Sequence, residues 1–152
     1  MQLVAYTLEA TNMIRSVIGV VLGVVFWLAA FYLLASGVAQ LWPDYAVHAR
    51  QWVKENVFTF TPLMACCNIA FWVVSEIGAG WLTAKISRAP VAVWVLAGLL
   101  GVYLATLHFV MYWVRFPWWY NLAVVLTAVP AVLLGARLAN AQRRLAVSRD
   151  IP

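Results

Sequence analysis

Four long apolar runs, separated by short polar stretches, dominate the hydropathy pattern of the chain. They cover residues 14–41, 57–84, 91–114 and 118–136. A helix rises about 1.5 Å per residue, so each run is long enough to cross a hydrocarbon layer of roughly 30 Å. The pattern therefore predicts four transmembrane helices that belong to one domain, residues 1–152.

The connection between the first two runs predicts a further short helix, at about residues 43–55. Pro43 suits the first turn of a helix, and Tyr45 and Trp52 then fall on one face. A short helix with one apolar face is typical of a segment that lies at the membrane surface. The residues after the fourth run, 137–152, are expected to form a cytoplasmic tail.

Each predicted span carries one line of small or polar residues at steps of three and four. Helices in a lipid layer associate through close packing and hydrogen bonds, which favours small residues where they touch. Alternating steps of three and four correspond to the period of a left-handed bundle. We therefore predict an all-α, four-helix membrane bundle. The small residues assigned to its packing seams are Gly19, Gly23, Gly98, Gly101, Ala105, Ala131 and Gly135.

Composition agrees with a membrane location, since 66% of the 152 residues are hydrophobic and 10% are charged. A soluble domain averages about 45–50% apolar and about 25% charged residues. Of the ten Lys and Arg residues, seven flank the runs on the side of the two termini and three flank them on the other side. The positive-inside rule then predicts cytoplasmic termini, as in a bacterial inner-membrane protein. The net charge of +5 is thus a topology signal, and no nucleic-acid partner is expected.

Four polar residues within the spans are candidates for an intramembrane site: Glu76, Asn68, His108 and Thr127. An ionisable residue at the centre of a span costs roughly 2.5 kcal/mol or more, so it is expected to face the bundle interior. Glu76 is interpreted either as a neutral acid at the level of Thr127 or as a group that reaches headgroups or water at the inner surface. Asn68 and His108 lie at matching depths on neighbouring helices, which predicts a hydrogen bond between them.

A second candidate site lies on the opposite, outer side of the membrane. Arg115 is accompanied there by Trp113, Trp118 and Trp119. Tryptophan is enriched at membrane interfaces, so one interpretation is an aromatic belt at headgroup level. The alternative is an aromatic cluster that binds a ligand.

No pattern in the sequence indicates an enzyme, a cofactor site or a metal site. The two histidines lie on different segments without metal-ligand spacing. No pair of carboxylates occurs within a span, and no serine or threonine has a histidine and an acid at matching depth. We therefore expect a protein that is not an enzyme and has no cofactor.

Three short stretches resemble motifs of other proteins. Residues 78–86, Gly-Ala-Gly-Trp-Leu-Thr-Ala-Lys-Ile, resemble a G-G-x-L-A-A-R-I pattern seen in small bacterial membrane proteins with four predicted spans. Residues 117–120 and 130–138 are similar to the P-x-W-Y and P-A-x-L-L-G-G-x-L endings of those proteins, although Ala79 and Ala136 replace the second glycine of each pair. The resemblance implies a four-span inner-membrane protein, and it transfers no functional residue because those proteins are largely uncharacterised.

These patterns lead to three hypotheses about function. The first is a non-enzymatic accessory or structural subunit, in contact with the lipid bilayer, that packs with itself or with a larger membrane complex. The second is a small transporter or channel component that uses Glu76 as an intramembrane proton or cation site, with Arg115 at the opposite mouth. The third is a lipid-binding envelope protein that uses the outer aromatic residues.

Overall fold

The chain is almost entirely helical. The computed structural model describes residues 2–55 and 57–149, with side chains for 10–55 and 57–146, and no strand occurs within these ranges. The helices are α1 (Gln2–Leu41), α2 (Pro43–Glu55), α3 (Pro62–Ser87), α4 (Pro90–Thr106) and α5 (Trp118–Arg149), with one π-helical turn (Leu107–Met111) directly after α4.

Four stretches of helix are long and apolar enough to cross a membrane. They are Ala10–Leu41, Pro62–Ser87, Pro90–Met111 and Trp118–Ala146. The predicted all-α, four-helix architecture is confirmed, and so is the short helix over residues 43–55, which is α2. The chain is therefore a multi-pass membrane protein.

The ends of two spans differ from the apolar runs for local reasons. Helix α3 begins at Pro62 rather than at residue 57, because Thr61 caps it by accepting a hydrogen bond from the Met64 backbone N–H at 3.4 Å. Helix α5 continues through residues 137–149, where a polar but helix-favouring sequence follows the apolar run. Residues 150–152 of the predicted tail lie outside the described residues.

Helix α3 packs against α5 through two glycines that face backbone. A Cβ added at Gly80 would overlap the Val132 carbonyl, and one added at Gly135 would overlap the Ile77 carbonyl. Only glycine permits this approach of the two helices. Gly135 is therefore confirmed as a packing residue, and Gly80 is a contact that the seam prediction missed.

Helix α1 packs against the C-terminal half of α3 through the predicted seam. A Cβ at Gly19 would lie 3.1 Å from the Ser87 Cβ, and one at Gly23 would overlap the Thr83 hydroxyl. The Thr83 hydroxyl donates to the Gly19 carbonyl oxygen at 2.9 Å. The close approach at the two glycines thus brings a buried hydroxyl to a backbone acceptor.

The seam predicted for α4 is partly wrong. Gly98 is exposed, and nothing lies within 4 Å of a Cβ placed there. Gly101 approaches only Val129 of α5, and Ala105 is half-buried, whereas Ala131 of α5 is buried. Helix α4 instead buries Val93, Leu96, Ala97, Leu100 and Leu104. An apolar helix has no polar face that fixes its rotation, and one residue of error turns the buried face by about 100°.

The last turn of α3 is fixed by polar side chains of α5. The Arg143 guanidinium donates to the carbonyl oxygens of Ala84 and Lys85, and the Trp81 indole donates to Gln142 at 3.1 Å. The final carbonyls of a helix lack partners within the helix, and a cation beside them is favourable. The polar end of α5 therefore has a structural role along α3.

We expect alanine to have opposite effects at Gly135 and at Gly98. Gly135→Ala should lower the free energy of unfolding in detergent by about 1–3 kcal/mol because its Cβ overlaps the Ile77 backbone. Gly98→Ala should leave stability unchanged or raise it by up to about 1 kcal/mol, because it improves helix propensity in open space. Unfolding of the two variants by heat or denaturant checks this; equal changes would contradict the packing of α3 on α5.

Candidate functional site

Asn68, which is fully buried in α3, connects three helices at the end of the bundle where α3 begins. Its amide donates to the Tyr45 hydroxyl of α2 at 3.0 Å, and its carbonyl oxygen accepts from the Tyr120 hydroxyl of α5 at 2.6 Å. Burial raises the pKa of the Tyr45 phenol, although the bond to Asn68 opposes this. Tyr45 therefore stays neutral and attaches α2 to the bundle.

His108 and Asn121 form a second buried pair beside the first. The His108 Nδ1 lies 2.8 Å from the Asn121 Oδ1, so an Nδ1–H donates to the amide oxygen. The Asn121 amide nitrogen donates to the carbonyl oxygens of Phe116 and Tyr112 at 3.3 and 3.4 Å. The pair thus satisfies backbone groups in the connection between α4 and α5.

The predicted hydrogen bond between Asn68 and His108 is wrong. Each side chain has other partners, and the two groups meet only through Tyr120, whose ring centroid lies 5.9 Å from that of His108. The depth count assumed a regular α-helix, whereas His108 lies in a π-helical turn. It also did not include Tyr120 and Asn121, which the first turn of α5 places between the two residues.

Glu76 lies on the buried face of α3 and is 0% exposed. Neither of its carboxyl oxygens has a hydrogen-bond partner among the described residues. The interpretation in which Glu76 reaches headgroups or water is therefore wrong. A buried charge without a partner is far more costly than a neutral acid, so we expect the carboxyl group to be protonated in this conformation.

Thr127, the fourth candidate, does not join Glu76. Its hydroxyl donates to the Ala123 carbonyl oxygen at 2.7 Å and approaches that of Val124 at 3.2 Å. A hydroxyl that donates to the preceding turn is satisfied within its own helix. Of the four predicted intramembrane residues, Asn68, His108 and Thr127 are thus hydrogen-bonded, whereas Glu76 has no hydrogen-bond partner among the described residues.

The four predicted outer-interface residues lie at the surface around the connection between α4 and α5. Arg115 is exposed, as are Trp113, Trp118 and Trp119, with Trp118 the most exposed of the three tryptophans at 66%. Exposed tryptophans at a helix end are typical of an interfacial belt.

The roles of four side chains at this site were not predicted from the sequence. Tyr45 and Tyr120 complete the bonding of Asn68, and the buried indole N–H groups of Trp27 and Trp72 have no hydrogen-bond partner within the described ranges. The adjacent polar residues Tyr120 and Asn121 at the start of α5 are the sequence feature that could have indicated these hydrogen bonds. Tryptophans in a span are ordinarily interpreted as packing residues, so nothing in the sequence indicated that Trp27 and Trp72 carry unpaired donors.

Comparison with protein-family models, with curated proteins and with solved structures finds no match to this chain. The class that its fold supports is a small multi-pass membrane protein with four spanning helices. Its candidate site is the buried acid Glu76, which has no hydrogen-bond partner among the described residues and lies eight residues along α3 from the hydrogen-bonded Asn68.

We expect His108 and Asn121 to be energetically coupled. A double-mutant cycle of His108→Ala and Asn121→Ala should give a coupling free energy of about 0.5–1.7 kcal/mol, the range for hydrogen bonds between membrane helices. A cycle of His108→Ala with Thr127→Val should be additive, because Thr127 bonds only within α5. Unfolding in detergent measures both cycles, and additivity in the first would contradict the bond.

We expect Glu76→Met to leave the bundle equally stable or to stabilise it by about 1–4 kcal/mol. Replacing an unpartnered buried polar group by an apolar side chain of similar volume removes a desolvation penalty. The matched control is Glu55→Met at an exposed position of α2, which should change stability by about 0.5 kcal/mol or less. A loss of stability in Glu76→Met, measured by thermal unfolding, would show that the acid has a structural partner.

Proposed function

We propose that this chain is a small, proton-dependent transport component of a bacterial inner membrane, with Glu76 as its proton site. The observation that carries the proposal is the contrast between Glu76 and the other buried polar residues. Among the described residues Glu76 has no hydrogen-bond partner for either carboxyl oxygen, although it is fully buried. Hydrogen bonds satisfy the side chains of Asn68, Ser75, Thr83, Ser87, His108 and Asn121.

An ionisable group inside a membrane protein is expensive and is typically associated with a transport or proton pathway. A packing role would favour an apolar side chain at this position, because the carboxyl group forms no bond that holds helices together. The presence of an acid at this position therefore supports a role in binding protons rather than a role in stabilising the bundle.

A proton fits this site better than a metal cation does. Metal cations take several ligands, whereas Glu76 is a single carboxyl group, and no group of three His, Cys, Asp or Glu side chains that could hold a metal occurs among the described residues. A proton needs only one carboxyl oxygen. The cation alternative within the transporter hypothesis is thereby reduced to proton binding.

Protonation of Glu76 can be coupled to a change of conformation. The closed bundle accommodates the neutral acid, but the carboxylate would be several kcal/mol less stable there than in contact with water. Each 1.4 kcal/mol corresponds to a factor of ten in an equilibrium, so loss of the proton would strongly favour a conformation that admits water. This coupling is what a proton-dependent transporter requires.

The basic residues support an orientation with both termini in the cytoplasm. Lys85 and Arg88 lie at the end of α3, and Arg143 of α5 contacts that same end. Positive charge concentrated at one end of a bundle favours the cytoplasmic side. Glu76 would then lie nine residues, or about 13 Å, from Lys85 on the cytoplasmic side.

A second candidate function is the accessory subunit that packs with another membrane protein or with itself. The observation that favours it is the exposure of α1, of whose most apolar window only 22% is buried, against 44% for α3. Gly98 adds an open glycine on the outward face of α4. Crosslinking in native membranes should then capture a partner or a second copy, and recovery of monomer alone would contradict this function.

Proton flux into liposomes tests the first proposal. The wild-type protein is reconstituted with a pH-sensitive dye inside, and a potassium gradient with valinomycin makes the interior negative. We expect wild-type vesicles to acidify faster than protein-free vesicles, because a titratable group inside the bundle can carry protons. Glu76→Gln should reduce the rate to that of protein-free vesicles, since an amide cannot bind and release a proton in this way.

Glu55→Gln, an exposed position on α2, is the matched control and should behave as the wild type. Equal rates for Glu76→Gln and the wild type would contradict the proposal. A wild-type rate no higher than that of protein-free vesicles would contradict it as well.

A further inference from the structure

Side chains of α3 and α5 form a cationic cluster at the end of the bundle where α3 ends. The Lys85 ammonium group lies over the Trp81 ring, 5.4 Å from the ring centroid. The Trp81 indole donates to Gln142 at 3.1 Å, and the Arg143 guanidinium donates to the Lys85 carbonyl oxygen at 2.9 Å. These four residues make up the α3–α5 cluster, in which two cations and an indole belong to neighbouring helices.

The α3–α5 cluster lies at the level of lipid headgroups. Lys85 follows the first residue of α3 by 23 residues, or about 35 Å, and Gln142 follows the first residue of α5 by 24 residues, or about 36 Å. Both helices begin at the same end of the bundle, where Tyr120 bonds to Asn68. The hydrocarbon core is about 30 Å thick, and the headgroup regions extend this to about 40–45 Å. The two counts therefore agree on the headgroup region of the opposite surface.

The two cations of the cluster have no acidic partner in the described part of the chain. The acidic residues with described side chains are Asp44, Glu55 and Glu76. Asp44 and Glu55 belong to α2, which Asn68 attaches to the opposite end of the bundle. Glu76 is fully buried and precedes Lys85 by nine residues, or about 13 Å. The cluster therefore suits an anion from outside the chain.

Arg143 is held in place and still has donors to offer. Its bonds to the carbonyl oxygens of Ala84 and Lys85 both start from Nη2. A guanidinium group carries five N–H donors, so three remain on Nη1 and Nε for an external acceptor. A cation fixed by the protein loses less conformational freedom on binding than a free surface side chain does. The other described cations at this end are exposed: Arg15, Arg88, Arg137 and Arg144.

Apolar side chains lead from the cluster toward the hydrocarbon layer. Leu134 and Leu138 precede Gln142 by eight and four residues, which places the three on one face of α5. Both leucines are 47% exposed. In a membrane such side chains are covered by acyl chains, so the molecule that reaches the cluster beside them is a lipid. Its phosphate lies at the same level as the two cations.

We propose that the α3–α5 cluster is a binding site for one anionic phospholipid. Arg143 donates from Nη1 and Nε to two phosphate oxygens, since guanidinium groups favour such bidentate contacts. Lys85 supplies a second positive charge, and Trp81 lies at the boundary of headgroup and acyl chain, where tryptophan is typical. Basic pockets between membrane helices bind anionic headgroups. A zwitterionic lipid carries a cation of its own, which these two cations would repel. The site is independent of Glu76.

Lipid titration followed by native mass spectrometry tests the class of ligand. The full chain in a neutral detergent is titrated separately with dioleoyl phosphatidylglycerol and with dioleoyl phosphatidylcholine, which has the same acyl chains. We expect the first equivalent of phosphatidylglycerol to bind about tenfold more tightly. Inorganic phosphate at the same concentration should not displace it, because it has no acyl chains. Equal affinities for the two lipids, or displacement by phosphate, would overturn the proposal.

Lys85→Gln tests the cluster with little effect on the fold, because it leaves the bonds of Arg143 to the end of α3 intact. The variant should bind phosphatidylglycerol about three- to tenfold more weakly and phosphatidylcholine as the wild type does. The matched control is Arg144→Gln, which removes the same charge from an exposed position beside Arg143. It should stay within about twofold of the wild type. Equal weakening in both variants would show a diffuse attraction to the basic end and would overturn the site.

Arg143→Lys tests the bidentate contact separately from the charge. Lysine keeps the positive charge but has no planar fork, so we expect phosphatidylglycerol to bind at least about threefold more weakly. Unchanged affinity would overturn the assignment of Arg143 as the phosphate ligand. Should this variant unfold in thermal scans, Lys85→Gln decides the question.

Photolabelling locates the bound lipid. A phosphatidylglycerol with a diazirine group close to its headgroup is irradiated with the full chain in lipid nanodiscs, and the labelled peptides are identified by mass spectrometry. We expect saturable labelling of the ends of α3 and α5 that unlabelled phosphatidylglycerol prevents and phosphatidylcholine does not. Labelling concentrated on Arg15 of α1 or on the start of α4 would overturn the proposed site, as would labelling without saturation.

Discussion

Lipid offers no hydrogen bonds, and this constraint governs the arrangement of the polar groups in the bundle. The Thr83 hydroxyl uses the Gly19 carbonyl oxygen, which it reaches because α1 and α3 approach closely at Gly19 and Gly23. Arg143 supplies donors to the last carbonyls of α3, so the polar continuation of α5 follows directly from the need to satisfy a helix end. Close glycine packing and polar satisfaction are thus two aspects of one requirement.

The same constraint explains why the middle of α3 differs from its two ends. Near the start of α3, Asn68 bonds to α2 and α5, and near its end Thr83 bonds to α1. Between them lie Trp72 and Glu76, whose polar atoms have no partner within the described ranges. A bundle selected only for stability would place apolar side chains there, because each unpaired buried group is unfavourable. Within the described part of α3, the unsatisfied side-chain groups thus lie in one short segment between two hydrogen-bonded ends.

Hydropathy and residue size allowed much of this fold to be predicted from the sequence. Four apolar runs and an amphipathic segment determine the helices locally, and Gly19, Gly23 and Gly135 pack because helices in lipid approach at small residues. The rotation of α4 could not be predicted, since a helix that is apolar all round has no side assigned to the core. The partners of Asn68 and His108 depend on a π-helical turn and on the position of α5, which are tertiary features.

The distribution of bonded and unbonded groups has a consequence for how the bundle could operate. The network near the start of α3 joins α2 to α3 and α5 through Asn68, whereas α1 is held at this end by apolar contacts such as that of Phe31 with Trp72. Apolar contacts are non-directional and can be exchanged for contacts with a ligand at little cost, but a buried hydrogen-bond network cannot be broken without leaving unpaired groups. This end of α1 is therefore held by exchangeable apolar contacts, whereas α2, α3 and α5 are joined there by directional hydrogen bonds.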